Sequence, residues 1–122
     1  MSKDLYERAV AIAKQAYAPY SNYLVGAAVR TRDGKVFEGV NVENAAYPLG
    51  VCAEKTALAT AVSEGYKPGD IEAIGITASP CGGCRQWLYE FRVGEVTFMG
   101  STGELVTYSA AELLPDTWDL PA

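Results

Sequence analysis

The sequence predicts an α/β protein built as a three-layer α/β/α sandwich, in which helices cover both faces of a mixed five-stranded sheet. Two observations lead to this prediction. Short apolar runs alternate with helical patterns along the chain, and turn residues separate them. The chain also has 122 residues, of which 49% are hydrophobic, enough for one domain with its own core. We therefore expect residues 1–122 to form a single domain.

The N-terminal half predicts a helix, a hairpin and a loop. Apolar side chains recur at helical spacing over residues 4–17, and residues 24–30 have the pattern of a buried strand. An Asp-Gly pair, typical of a tight hairpin turn, then precedes a second strand over residues 36–40. Residues 41–50 are polar and aromatic, which indicates a loop.

The C-terminal half continues the alternation of helix and strand. An Ala-rich helix over residues 51–64 is closed by Gly65, and a third strand follows over residues 70–77. The remaining elements are a helix over 81–91, strands over 95–99 and 104–108, and a short helix over 110–114 that Ser109 caps. In this arrangement each cysteine lies at the start of a helix.

The charge pattern argues against a nucleic acid as partner, and the lengths of the apolar runs argue against a membrane. The net charge is −5, and the Lys and Arg residues are scattered, whereas a polyphosphate backbone is usually bound by a basic stripe. No apolar run is long enough to span a bilayer, and the N-terminus lacks the apolar centre of a secretory signal. We therefore expect a cytoplasmic protein with a small, uncharged ligand.

Two short segments carry the residues best suited to chemistry. The chain has three cysteines and no histidine, so a zinc site has to be built from thiolates and carboxylates. Cys52 and Glu54 form one Cys-x-Glu segment, and Cys81 and Cys84 lie in a Pro-Cys-x-x-Cys segment. Together these segments match the signature of zinc-dependent nucleobase deaminases, in which three cysteines are an allowed ligand set.

The spacing explains how such a site would work. Cys81 and Cys84 are three residues apart and share a helix face, and a helix N-terminus favours thiolate over thiol. With Cys52 they supply three ligands and leave a fourth position for water, as in catalytic zinc sites. Glu54 does not share a helix face with Cys52, so it is better placed to move protons than to bind the metal.

The same residues have simpler interpretations. Cys81 and Cys84 could form a redox dithiol, and all three cysteines could be unrelated buried thiols. A closed structural zinc site normally needs four protein ligands. A zinc ion with three thiolates also carries a net negative charge, and Lys55 is the nearest cation that could compensate it.

Over nearly its whole length the chain resembles the small homotetrameric zinc-dependent cytidine deaminases. The resemblance implies a cytidine deaminase-like fold, one Zn²⁺ per chain and a homotetramer with shared active sites. It implies a hydrolase that acts on the C–N bond of a cyclic amidine, converting cytidine or deoxycytidine to uridine or deoxyuridine plus ammonia in pyrimidine salvage. The resemblance is carried by these residues and ranges: 20–21, 25–28, 39–45, 47–49, 51–54, 61–66, 80–86, 90–91 and 112–115.

The resemblance also implies roles for further residues. Asn41 and Glu43 match the pair that hydrogen-bonds ribose hydroxyls, and the backbone of Ala53 matches a contact to the base. Tyr23 stands where the family usually places a Phe near the base. Residues that match contacts to a neighbouring subunit's site are Ala45, Tyr47 and Trp118.

Several departures from the family pattern leave the substrate range open. Lys55 replaces the usual Arg, and Trp118 replaces the usual Phe. The lead-in to Pro80 is shorter than in many relatives. A deaminase of N4-modified or antibiotic cytosine nucleosides is therefore an alternative, and a non-catalytic zinc-stabilised binding module is another.

Overall fold

Helices and strands follow one another in the order that the sequence predicts. The structure is a computed structural model and describes residues 2–119. Its helices are α1 (Lys3–Ile12), α2 (Ala53–Ser63), α3 (Gly82–Glu90) and α4 (Ala110–Leu113), with short 3₁₀ turns at Ala13–Gln15 and Tyr47–Leu49. Its strands are β1 (Gly26–Thr31), β2 (Val36–Val40), β3 (Ile71–Ile76), β4 (Glu95–Met99) and β5 (Leu105–Tyr108).

The five strands form one mixed sheet in the order β2-β1-β3-β4-β5. Strand β1 pairs antiparallel with both β2 and β3, and β4 pairs antiparallel with β5. Strands β3 and β4 are parallel, and α3 makes the crossover between them. The segment that leaves the carboxyl end of β3 therefore leads directly into α3, the position at which open α/β sheets usually carry their ligands.

Helices cover both faces of the sheet, which confirms the predicted three-layer fold. On one face Leu5 of α1 packs against Ala28 and Ala73 of the sheet. On the other face a larger apolar cluster joins α2, α3 and α4, including Leu58 and Leu88, to the strands. Successive residues of β1 thus contribute to opposite layers, as the two-residue period of a strand requires.

Helix α2 lies unusually close to the edge strand β2, and Gly39 allows this approach. A Cβ atom placed on Gly39 would stand 2.3 Å from the backbone nitrogen of Ala57 and 2.7 Å from the carbonyl oxygen of Ala53. Any larger residue would therefore push the first turns of α2 away from the sheet. The close packing holds the start of α2, where Cys52 and Glu54 lie, over the end of β2.

The structure differs from the prediction at the ends of some elements. The first helix does not continue to Tyr17, because the backbone amide of Tyr17 donates to the carbonyl of Asn41 at 3.1 Å. Strand β1 begins at Gly26 and not at residue 24, because the amide of Val25 donates to the side chain of Asn41 at 2.8 Å. Within residues 2–119 no helix combines the length and the apolar character needed to cross a bilayer.

Candidate active site

The three cysteines come together although they are far apart in sequence. The sulfur atoms of Cys52, Cys81 and Cys84 all lie within 4.8 Å of one another, and the Cys52 and Cys81 sulfurs are 3.9 Å apart. Two thiolates bound at about 2.3 Å to a tetrahedral zinc ion stand about 3.8 Å apart. The trio therefore fits zinc, and the alternative of three unrelated thiols is excluded by this geometry.

Two helix starts deliver these sulfurs. Cys52 and Cys81 are the residues immediately before α2 and α3, each with an extended backbone, and Cys84 lies in the first turn of α3. The backbone amide of Cys84 donates to the sulfur of Cys81 at 3.5 Å, so Cys81 caps its own helix. Because both helices point their amino ends at one position, their dipoles favour negative charge there.

Burial acts against full ionisation of the thiols. Desolvation raises the pKa of Cys84 and of Cys52. For the exposed Cys81, desolvation is outweighed by hydrogen bonds from the Cys84 amide and from the neighbouring thiols, which lower the pKa. Three thiolates at this distance repel one another, and a bound divalent cation is the natural way to hold them together.

Glu54 lies beside the sulfurs in a nearly closed environment. Its side chain is only 4% exposed. Burial raises the pKa of its carboxyl, and interactions with its own backbone amide, the Cys84 thiol and Lys55 offset only part of that effect. A buried carboxyl with a raised pKa holds a proton more readily than an exposed one, which suits a group that has to accept and return a proton.

Lys55 lies close to the second helix start. A methyl group on Gly83 would stand 3.7 Å from the Lys55 ammonium nitrogen and 4.0 Å from the Cys81 sulfur. The ammonium group also lowers the pKa of Glu54 through its charge. Within residues 2–119 the Lys55 side chain makes no hydrogen bond or ion pair.

A cleft opens beside Cys52. It has a volume of about 380 Å³. Polar groups on its wall come from Ser21, Asn41 and Glu43. The full set of lining residues is Tyr20, Ser21, Asn41, Val42, Glu43, Asn44, Tyr47, Gly50, Val51 and Cys52.

Asn41 and Glu43 are both tied to the segment that faces them across the cleft. The Asn41 amide accepts from the Val25 nitrogen at 2.8 Å and donates to the Tyr23 carbonyl at 2.9 Å. Glu43 accepts from the backbone nitrogens of Tyr20 and Ser21 at 3.0 and 3.1 Å and from the Ser21 hydroxyl. These bonds, the one from the Ser21 hydroxyl above all, lower the pKa of the Glu43 carboxyl.

The other residues predicted for the substrate site lie in different places. Ala53 is buried in the first turn of α2, which has no side-chain cap, so its backbone amide is one of the N–H groups left without a helical partner. Tyr47 lines the cleft and is 79% exposed, whereas Tyr23 and Ala45 are exposed but are not among the lining residues. Trp118 lines a separate apolar groove beside Trp87.

Two residues of this region received no role from the sequence. The Ser21 hydroxyl joins Glu43 to the backbone nitrogen of Tyr23, to which it is bonded at 3.0 Å. Arg85 bonds the segment that carries Cys81. Both belong to the stretches that carry the resemblance, Tyr20-Ser21 and Pro80 to Gln86, but only the fold reveals their partners.

Comparison with known proteins identifies the class. The model of the zinc-binding region of cytidine and deoxycytidylate deaminases matches residues 1–100. The chain belongs to this family, as the resemblance in its sequence implied.

Individual relatives extend the match over most of the chain. A solved cytidine deaminase from Burkholderia pseudomallei is 46% identical, with a TM-score of 0.89 over 97% of this chain and 99% of that one. The cytidine deaminase of Halalkalibacterium halodurans is 40% identical over 91% of this chain and 89% of its own length. A probable cytidine deaminase of Dictyostelium discoideum is 45% identical over 82% of this chain and 71% of its own length.

Proposed function

We propose that the protein is a zinc-dependent hydrolase that deaminates cytidine, deoxycytidine or both to uridine or deoxyuridine, with release of ammonia. The observation that carries this proposal is the meeting of three thiols within 4.8 Å of one another beside the buried carboxyl of Glu54. The family match and the cytidine deaminases among its relatives support the same reaction.

The residues divide the chemistry between them. A zinc ion held by Cys52, Cys81 and Cys84 would lower the pKa of a water in its fourth position. Glu54 accepts a proton from the attacking water and delivers it to N3 of the base, which makes C4 electrophilic. After the water oxygen has bonded to C4, Glu54 takes the proton of the new C4 hydroxyl and passes it to the exocyclic amine. Ammonia then leaves, and the hydroxyl at C4 becomes the carbonyl of the product.

The cleft favours nucleosides over nucleotides. The family includes deoxycytidylate deaminases, whose substrate carries a phosphate. No lysine or arginine of the described chain lines the cleft, and the carboxylate of Glu43 does. A phosphate dianion would be repelled there and would leave its hydration shell without compensation.

On the sugar side of the cleft, the unused hydrogen-bonding positions of Asn41 and Glu43 suffice for one sugar hydroxyl. A carboxylate offers about four acceptor positions, and three of those on Glu43 are already used within the chain. Asn41 keeps one N–H and one lone pair beyond its two internal bonds. One sugar hydroxyl can donate to Glu43 and accept from Asn41. A nucleoside that lacks this hydroxyl should therefore bind far more weakly than a nucleoside that lacks the neighbouring ring hydroxyl.

The working protein is proposed to be a cytoplasmic homotetramer in pyrimidine salvage. Tyr47 at the cleft and Trp118 in the apolar groove are 79% and 70% exposed in the single chain, and exposed aromatic residues of this kind are typical of contact surfaces. Ala45, Tyr47 and Trp118 would then reach the sites of neighbouring subunits, and assembly would be needed for activity.

One experiment tests the reaction and the role of Glu54 together. Zinc content and the loss of cytidine absorbance are measured for the wild type, for Glu54→Gln and for Glu64→Gln, the matched change at the exposed other end of α2. We expect Glu54→Gln to keep zinc and to lose turnover by roughly 10²–10⁴-fold, while Glu64→Gln behaves as the wild type. Wild-type turnover in Glu54→Gln would refute the assignment.

The same assay separates the alternatives. Deoxycytidine, deoxycytidylate and a panel of N4-substituted cytidines are compared with cytidine. Preference for an N4-substituted substrate would assign the protein to modified or antibiotic nucleosides. Bound zinc with no ammonia from any nucleoside would instead indicate a zinc-stabilised binding module.

A further inference from the structure

The short segment that carries Cys81 has few bonds of its own. Strand β3 ends at Ile76 and α3 begins at Gly82, and residues 78–80 between them make no backbone–backbone hydrogen bond within residues 2–119. At the near end, Thr77 is fixed to Gly26, because its amide donates to the Gly26 carbonyl and its hydroxyl accepts from the Gly26 amide, both at 3.1 Å. The far end, with the metal ligand, needs a second anchor.

Arg85 supplies that anchor. Its Nε donates to the Pro80 carbonyl at 2.9 Å, and one terminal nitrogen reaches the Ser79 hydroxyl at 3.3 Å. The Arg85 backbone amide also donates to the Cys81 carbonyl at 2.9 Å. Pro80 is buried, and within residues 2–119 its carbonyl has no other hydrogen-bond donor. A buried carbonyl without a partner is strongly disfavoured. The bond from Arg85 Nε to the Pro80 carbonyl therefore constrains the backbone immediately before Cys81.

The remaining terminal nitrogen of the Arg85 guanidinium bonds to a different part of the fold, helix α4. This nitrogen donates at 3.1 Å to the carbonyl of Leu113, in the last turn of α4, where carbonyls lack helical partners. The side chain of Leu113 belongs to the large apolar cluster. The guanidinium thus fastens the ligand segment to an element that is itself held by the core.

We propose that Arg85 is a positioning residue for the metal site, which sets the place of the Cys81 sulfur relative to Cys84 and Cys52. It acts through the backbone of residues 79–81 and contacts neither the reacting atoms nor the metal. The inference rests on the proposed zinc site and is independent of which nucleoside is the substrate.

The geometry of the side chain predicts how substitutions will behave. Three acceptors on three separate residues receive bonds from one planar group, which a guanidinium can do and a single ammonium nitrogen cannot. Lysine at this position would retain the positive charge but could not bond to all three acceptors at once. We therefore expect Arg85→Lys to fall between the wild type and Arg85→Gln, and closer to the glutamine variant.

The test measures zinc affinity directly, by competition with a chromophoric chelator. Arg85→Gln should bind zinc roughly 10–100-fold more weakly, the usual cost of removing a group that orients metal ligands. The matched control is Arg32→Gln, because Arg32 also donates through Nε to a backbone carbonyl, that of Gly69 at 2.7 Å, and lies apart from the cysteines. Arg32→Gln should keep wild-type affinity.

A second measurement distinguishes positioning from general stability. With cobalt(II) in place of zinc, the ligand-field absorption reports the arrangement of the thiolates. Arg85→Gln should shift these bands, whereas Arg32→Gln should leave them unchanged even if its melting temperature falls. Wild-type affinity and spectrum in a folded Arg85→Gln protein, or equal losses in both variants, would overturn the inference.

Two further outcomes remain decisive. If Arg85→Gln does not fold, Arg85→Lys replaces it, and wild-type zinc affinity in the lysine variant overturns the inference. If the wild type binds zinc but deaminates no nucleoside, the proposed function fails while the affinity comparison still tests Arg85.

Discussion

The two ends of the candidate site are built in different ways. At the metal end, Glu54 and Cys84 are buried and are held by helix starts that pack on the sheet. At the other end, which is proposed to hold the sugar and is called the sugar end, Asn41 and Glu43 lie near the surface and are held by hydrogen bonds between side chain and backbone. The position of the metal end is therefore set by packing in the core, whereas the position of the sugar end is set by a small network of hydrogen bonds near the surface.

This difference separates the expected effects of substitution. Changes at the metal end should act on metal binding and on the chemical step. Changes at the sugar end should act on substrate affinity and leave the zinc content alone. The following predictions test that separation, from the largest effect to the smallest.

Removing a buried ligand should abolish function at the metal end. In Cys84→Ala only two thiols remain, and no histidine in the chain can substitute for the third. We expect no zinc at stoichiometric concentration and deamination below the detection limit, measured by metal analysis and by cytidine absorbance. Added zinc should not restore the activity, and retention of one zinc per chain would contradict the proposed ligand set.

Removing the charge at the sugar end should weaken substrate binding. Glu43→Gln loses a charged hydrogen bond worth about 1.5–3 kcal/mol, which predicts a fall in kcat/KM of roughly 10–150-fold, mostly through KM. Steady-state kinetics with cytidine measures this split, and the zinc content should be that of the wild type. Glu38→Gln is the control, since Glu38 pairs with Arg8 on the surface. An equal loss in both variants would remove Glu43 from the substrate site.

Crowding the contact between α2 and β2 should disturb stability before chemistry. In Gly39→Ala the new methyl would overlap the backbone of α2, at 2.3 Å from Ala57 nitrogen. Overpacking of this kind costs about 1–3 kcal/mol, and we expect the melting temperature to fall by roughly 3–15 °C. Gly94→Ala, whose methyl would have its nearest contact at 3.6 Å, should melt as the wild type. If both variants melt alike, the close approach is not needed.

The smallest effect concerns the ionisation of Glu43. Its pKa lies below the ordinary value of 4.5, chiefly because the Ser21 hydroxyl donates to it. A lowered pKa contributes stability above pH 4.5, and this contribution is lost as the pH falls through the folded value. In Ser21→Ala the Glu43 pKa should rise toward 4.5, as measured by NMR titration of its carboxyl carbon. Ser63→Ala, which loses a surface bond on α2, should leave it unchanged.

The two ends also differ in how far the sequence predicts them. At the metal end, Cys52 and Glu54 are two residues apart, and Cys81 and Cys84 are three apart. Such local spacings constrain geometry because a helix start has a defined shape. The fold class could likewise be predicted, since the periods of helix and strand appear in the residues themselves.

Partners distant in sequence could not be predicted from local pattern. The Asn41 side chain hydrogen-bonds to the backbone of residues 23 and 25. The bond to residue 25 also makes β1 begin at Gly26 and not at residue 24. Arg85 binds Leu113, which lies 28 residues away. A polar side chain has many possible partners in an unfolded chain, and only the packing of the layers selects one of them.

By itself, the sequence determined the order of the elements, the three cysteines expected to hold the metal and the membership of the cytidine and deoxycytidylate deaminase family, because these depend on residue type and short-range spacing. The tertiary structure decided that the three sulfurs meet, that Glu54 is buried beside them, and that Arg85 bonds the Pro80 carbonyl and Ser21 bonds Glu43. The physical reason is that distances between separate elements are set by core packing, which no local pattern contains.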